Sequence, residues 1–340
     1  MTEVQRAGAT DEKSVPGKMR AIVQDRYGNA DVLKLREIDT PVPLEDRVLI
    51  RIVASSLNMY DVHLTTGLPL LARVSAGLVR PKNPVPGSDL AGVVAQVGAN
   101  VTDFAPGDAV FGAIGSGSFA EYAVAGAKNL AHKPDSVSFE HAASIPLAGT
   151  TALQALRDVG GLQSGRRVVI NGASGGVGTF AVQIAKALGA EVAAVCSTTK
   201  VDIVRSLGAD HVVDYTRQDY TEKLHDYDLL LDNAGNRPWS ETKRVLSQRG
   251  TQVTITGPKY RVMGPIRLFV FRKVASRFDS RRFAWLTAHM KREDVETLGH
   301  FLATGVVTPM IERTYPLARV PEGIRYLSEG HSVGKLVVTG

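Results

Sequence analysis

The spacing of apolar positions changes part-way along the chain. From Met19 to about residue 130 they come in short runs: Met19-Arg20-Ala21-Ile22-Val23, Arg47–Val53, Gly92–Val97, Ala109–Phe111 and Phe119–Ala125. Arg47–Val53 alternates polar and apolar, then becomes more apolar, as a half-buried strand does. Thr40-Pro41-Val42-Pro43 reads as an extended link and Ala105-Pro106-Gly107-Asp108 as a turn. These signals predict a small, irregular β domain.

Past Ser138 the pattern lengthens. Phe139–Asp158 predicts helices broken at Pro146. Strands at Val192–Cys196, Val212–Asp214, Leu229–Asp232 and Thr251–Thr256 then alternate with helices at Lys200–Leu207 and Pro238–Leu246. Such alternation predicts a parallel sheet with helices on both faces. A helix near Val295–Leu302, an extended piece at Met310–Arg313, a helix from Pro321 to about Gly330 and a strand at Lys335–Val338 complete the chain.

One stretch organises this second region. Val168-Val169-Ile170 runs into Asn171-Gly172-Ala173-Ser174-Gly175-Gly176-Val177-Gly178, and Val177, Ala181, Ile184 and Leu188 follow at helical spacing up to Gly189. Ala173-x-Gly175-x-x-Gly178 fits the dinucleotide fingerprint, with Ala in place of its first Gly. Gly175 lets the backbone approach a pyrophosphate, and Gly178 lets the helix pack closely. The helix N-terminus supplies amides and a positive dipole end for the phosphates. Gly172-x-Ser174-x-Gly176 also fits the nucleophile elbow of a serine hydrolase, but no Gly-rich oxyanion loop precedes it.

An NAD-preferring chain usually carries Asp or Glu about twenty residues past the fingerprint. Here the second strand ends in Cys196-Ser197-Thr198-Thr199-Lys200, without a carboxylate. Ser197 and Lys200 suit a 2′-phosphate, so the sequence favours NADPH. Thr199-x-x-Asp202 has the spacing of a capping box, which would aim a helix N-terminus at that anion.

Composition adds limits. The 340 residues are enough for two domains, and no apolar run approaches a membrane span. Residues 1–18 are polar and of mixed charge, read as a disordered extension. Cys196 is the only cysteine, so no internal disulfide or thiolate-rich metal cluster forms, which suits a cytoplasmic setting. The net charge of +6 is concentrated in a basic, apolar stretch from Lys259 to Arg292. We read it as helical with a solvated basic face and expect neither nucleic-acid binding nor stable membrane insertion.

Five further stretches flank the fingerprint in order: Asn58-x-x-Asp61, Pro86-Gly87-Ser88-Asp89-Leu90-Ala91-Gly92, Pro106-Gly107-Asp108-x-Val110, Phe119-Ala120-Glu121-Tyr122 and Gly334-Lys335-Leu336-Val337. Together they resemble the zinc-independent, quinone-oxidoreductase-like branch of the medium-chain dehydrogenase/reductase superfamily, over residues 19–340. The resemblance implies an α/β protein: a GroES-like β-rich catalytic domain (19–140 and 305–340) with an inserted Rossmann domain (141–304), a doubly wound parallel sheet. It implies NADPH in the cleft and a quinone or enone substrate; the family includes homodimers. It places Thr150 and Thr151 near the nicotinamide and Tyr215 beside the 2′-phosphate ribose. Asn233, Gly235 and Gly257 would line the remaining cofactor wall, and Lys335 is counted with the cofactor set.

The zinc-dependent branch has Cys where Asn58 stands and His-Glu where Ser88-Asp89 stand, so no catalytic zinc is expected. Asn58 is then the first candidate for a donor to the substrate oxygen, or a helix N-cap. Tyr60 is a second candidate donor, and Asp61 is expected to fix the helix. Leu68–Asn83 with Ile266–Phe283 suggests either a lipophilic entrance or a pair of core helices. A non-catalytic NADPH-binding protein is the alternative to an NADPH-dependent oxidoreductase.

Overall fold

The computed structural model describes residues 15–70, 73–255 and 279–340. The first half contains β1 (Lys18–Val23), β2 (Lys34–Asp39), β3 (Arg47–Leu57), α1 (Met59–Thr66), α2 (Arg73–Ala76), β4 (Asp89–Val97), β5 (Ala109–Ala113), β6 (Tyr122–Gly126) and β7 (Leu130–His132). The chain continues through α3 (Phe139–Ser144), α4 (Pro146–Gln154), β8 (Arg167–Asn171), α5 (Gly176–Ala187), β9 (Glu191–Cys196), α6 (Val201–Ser206), β10 (His211–Asp214) and α7 (Tyr220–Lys223). It ends with β11 (Tyr227–Asp232), α8 (Trp239–Thr242), β12 (Leu246–Thr254), β13 (Arg282–Trp285), α9 (Arg292–Ala303), β14 (Ile311–Pro316), α10 (Val320–Ser328) and β15 (Lys335–Thr339).

β3 is the spine of the mostly antiparallel sheet, whose order is β14-β15-β3-β4-β5-β7, with β6 also paired to β3. Val48, Leu49 and Ile50 are buried there, while Arg47 and Arg51 remain exposed. Two strands from the far end of the chain complete this sheet. The other large sheet is parallel, in the order β10-β9-β8-β11-β12-β13. The chain runs outward from β8 to β10 and then returns to β11. Ligands in such sheets bind at the carboxyl ends of the strands, where the order reverses.

Pro146 stands at the first position of α4, where its missing N–H costs nothing. One buried cluster extends from Ala54 and Phe111 through Ile145 and Ala152 to Ile170 and Phe180, so α3 and α4 join the sheets in one core.

Some elements differ from the sequence reading. Pro238–Leu246 is not one helix: α8 is a single turn, and Leu246 opens β12 opposite Tyr227. Burial of Val245 and Leu246 against the sheet outweighs helix continuation. Phe119 and Ala120 precede β6 and tie in β1, since Ile22 N–H donates to Phe119 O at 2.8 Å. Lys18, assigned to the extension, already pairs with Asp39 in β1. Thr256, Gly257 and most of the basic stretch lie outside the described residues.

Candidate active site

Strand register assembles a polar cluster at the end of β3. Ser56 lies opposite Asp89 of β4, and Leu57 lies opposite Leu336 of β15. This brings together Asn58, the N-cap of α1, with Ser88, Asp89 and Lys335. All four are buried.

The donors and acceptors fix the arrangement. An ammonium only donates, so Lys335 Nζ meets Asn58 Oδ1, and it also donates to Leu57 O at 3.1 Å. Asn58 Nδ2 therefore faces acceptors: Asp89 Oδ2 at 2.9 Å and Ser88 Oγ at 3.3 Å. Asp89 also accepts from Ser56 Oγ at 2.8 Å and from Leu147 N–H, in the first turn of α4, at 2.9 Å. Lys335 Nζ lies 3.6 Å from Asp89 Oδ2. Burial pushes the Asp89 carboxyl up and the Lys335 ammonium down, each opposed by the other's charge.

Asp61 accepts the Asn58 N–H at 2.8 Å, while its other oxygen, Oδ1, is buried without a partner among the described residues. Burial lifts its pKa to about 7. Tyr60, one residue away, is partly exposed and its hydroxyl makes no hydrogen bond within the described residues. Burial, followed by the Asp61 charge, raises the Tyr60 pKa, so the phenol keeps its proton at neutral pH.

The glycine turn lies against this cluster. Gly334 N–H donates to Ser174 O at 2.9 Å, and a Cβ on Gly176 would sit 3.4 Å from both Gly334 O and Lys335 Cδ. Lys335, expected in the cofactor set, thus passes its stem along the turn and gives its ammonium to Asn58 and Leu57.

The turn fits a dinucleotide. Gly172 has φ of +83°, which a side chain would strain. A Cβ on Gly178 would lie 2.2 Å from Gly172 O, so this glycine lets α5 close on its own turn. A Cβ on Gly175 would meet only Gly172 O, at 3.7 Å, leaving its approach open. The first bond of α5 is Thr179 N–H to Gly175 O, so the helix ladder leaves the amides of Gly176, Val177 and Gly178 available. Ala173 N–H is held by Val195 O. The buried Thr150 hydroxyl has no partner among the described residues, whereas that of Thr151 donates to Leu147 O. Asn233 N–H donates to Asn171 O and Gly235 N–H to Asp232, at the end of β11. No imidazole among the described residues hydrogen-bonds Ser174, so the hydrolase arrangement is not formed.

At the end of β9, Ser197 neighbours the exposed Tyr215, whose N–H donates to Cys196 O. The predicted capping box is not formed. Lys200 is the N-cap of α6, and the Thr198 hydroxyl instead donates to Asp214 at 2.6 Å. Asp214, a carboxylate beside this strand end that sequence spacing missed, is held by Thr198, Thr216 and Arg217. Lys200 Nζ donates to His331 O at 2.8 Å. Cys196 is buried, and burial pushes its thiol up to about 11.

Residues 44–135 match the alcohol dehydrogenase GroES-like domain family, and residues 207–338 match the zinc-binding dehydrogenase family. The chain is 35% identical to the chloroplastic quinone-oxidoreductase QR1 of Triphysaria versicolor, covering 94% of this chain and 98% of that protein. The chain belongs to the quinone-oxidoreductase-like branch of the medium-chain dehydrogenase/reductase superfamily. It is 34% identical to the chloroplastic NADPH-dependent alkenal/one oxidoreductase of Arabidopsis thaliana, over 97% of this chain and 81% of that one. The solved quinone oxidoreductase of Coxiella burnetii superposes with a TM-score of 0.84 at 29% identity, over 95% of this chain and 99% of that one. The protein is an oxidoreductase of this superfamily, and the relatives support a nicotinamide cofactor.

The zinc in the second family's description does not fit this pocket. A catalytic zinc takes about three protein ligands from Cys, His and carboxylates. The cluster offers an amide, a hydroxyl and a carboxylate, with the Lys335 ammonium bonded among them. Among the described residues no three His, Cys, Asp or Glu side chains converge as a ligand set.

Proposed function

We propose that the protein is an NADPH-dependent reductase of quinones or α,β-unsaturated carbonyl compounds. The observation that carries this reading is the closed Asn58–Asp89–Lys335 cluster, which offers no Lewis acid to a carbonyl oxygen. A simple ketone then lacks a strong electrophile. A conjugated acceptor spreads its developing charge and needs only shape, a dry cleft and one or two hydrogen bonds. Bound NADPH supplies the hydride from its nicotinamide C4.

The chain's residues divide the remaining work. The free amides of Gly176, Val177 and Gly178 hold the pyrophosphate at the α5 N-terminus, with Ser174 and Gly175 lining its approach. Thr150 offers its unpartnered hydroxyl to the nicotinamide end. Thr151, Asn233, Gly235 and Gly257 border the cofactor. The donor to the substrate oxygen is Tyr60, because both amide hydrogens of Asn58 are engaged by Asp89 and Ser88. Asn58 and Lys335 shape the floor beneath it. Ser197, Lys200 and Tyr215 surround the 2′-phosphate, and Asp214 is tied into its own turn.

An acceptor panel followed at 340 nm tests the reaction. Quinones and enones should consume NADPH; consumption by simple ketones alone would overturn the assignment. Lys200→Glu tests the cofactor. Charge-assisted bonds contribute about 1.5–3 kcal/mol, so NADPH should bind roughly ten- to a hundredfold more weakly, with NADH little affected. Equal weakening of both would remove Lys200 from the phosphate site. For compartment, the lone buried cysteine suits the cytoplasm we propose, which cell fractionation checks.

A further inference from the structure

The segment between Asp61 and Asp89 leaves the site and returns to it. It carries Arg73, Arg80, Lys82 and His63, with no Asp or Glu between its two buried ends. The apolar residues at its middle are not a core helix: Leu78 is 71% and Val79 87% exposed, and Val74 is exposed as well. Arg80 and Lys82 are exposed and form no ion pair among the described residues.

Hydrogen bonds brace this turn. The Tyr27 hydroxyl donates to Gly77 O at 2.6 Å, and Lys82 N–H donates to Ala76 O at 2.8 Å. The Arg73 guanidinium lies 4.4 Å over the Tyr27 ring and donates to Gly67 O. Two aliphatic side chains are therefore presented on a braced turn, flanked by two unpaired cations.

We propose that this turn docks the protein on an anionic lipid bilayer, with Leu78 and Val79 entering the headgroup boundary and Arg80 and Lys82 meeting lipid phosphates. Aliphatic residues flanked by basic ones, without acids, match the two terms of interfacial binding: buried apolar area and attraction to anionic headgroups. Two adjacent exposed aliphatic side chains with basic neighbours make a small patch, which suits insertion better than the broad face a protein interface needs. Both ends of the segment, Asp61 and Asp89, belong to the polar cluster, so the docking turn and the cluster share one stretch of chain. This extends the proposed function: the acceptor would be a quinone dissolved in lipid.

The test sediments the full chain with phosphatidylcholine vesicles, with and without phosphatidylglycerol. The wild type should co-sediment with the anionic vesicles at low salt and be released at high salt. Leu78→Ser/Val79→Ser and Arg80→Glu/Lys82→Glu should each lower partitioning by about tenfold or more. Both variants should bind NADPH as the wild type does and lose far more turnover on a long-chain quinone held in vesicles than on a water-soluble one. Absent or lipid-independent sedimentation would overturn the proposal, as would variants that partition like wild type. Self-association lost in the same variants, without lipid binding, would assign the turn to contact between copies. If the wild type reduces no soluble quinone, the reductase reading fails while the sedimentation result still decides docking.

Discussion

At the residue scale, the clearest difference between expectation and structure concerns Asn58. The sequence placed an amide where relatives of the zinc branch carry a thiolate, and the amide looked free to serve the substrate. The structure commits it on both sides, because Lys335 and Asp89 come from strands that only register brings together. No spacing rule shows that meeting. Gly334-Lys335 and Ser88-Asp89 were visible as motifs, but the charge pair between them was not. Removing one member of a buried pair costs about 3–5 kcal/mol, so Lys335→Met should be destabilised by that much, measured by denaturant unfolding. Lys335→Met combined with Asp89→Leu should recover part of the loss; additive losses would mean the residues act independently. Tyr60→Phe should lower kcat by about a hundredfold or more while leaving NADPH affinity unchanged. A titration follows from Asp61. Its folded pKa, about 7, is raised by burial above the ordinary carboxyl value, so between those pH values the folded chain holds more protons than the unfolded chain. Stability from this group therefore falls as pH rises through that window and levels off above it. Unfolding curves of Asp61→Asn should lack that component; an unchanged slope would assign it elsewhere.

At the element scale, the strand–turn–helix of β8 and α5 was readable because its signals are local: a β-branched run, glycines at fixed offsets and a helical apolar face. The π turn that follows α4 over Ala155–Val159 and the shortness of α8 were not readable: Leu156 and Leu246 are buried, and tertiary packing rather than local pattern holds them. The capping box after β9 failed for a similar reason. Its Thr198 neighbour found Asp214 on the adjacent strand, and the turn closed around that bond. The turn itself offers a sharp test. Gly178→Val adds bulk 2.2 Å from Gly172 O, and overpacking typically costs about 1–3 kcal/mol. The variant should remain folded by circular dichroism and lose NADPH binding by calorimetry. Retained affinity would mean that the close helix approach is not needed for the phosphates.

At the scale of the whole molecule, two sheets of different construction share one core, and the last strands of the chain return to complete the first sheet. The change in apolar spacing near Ser138 falls between β7 of one sheet and β8 of the other, whereas the return of β14 and β15 to the first sheet had no local signal beyond the family resemblance. That return carries Lys335 to Asn58 and places Gly334 on the glycine turn, so the polar cluster and the turn meet through one short segment. The account depends on hydride passing from a bound nicotinamide to a conjugated acceptor without a metal. Stopped-flow absorbance at 340 nm, on protein shown by elemental analysis to hold no zinc, measures this directly. Mixing with NADPH and a quinone should give loss of NADPH matched by loss of quinone. Silence in the zinc-free protein, with turnover appearing only when zinc is added, would contradict it.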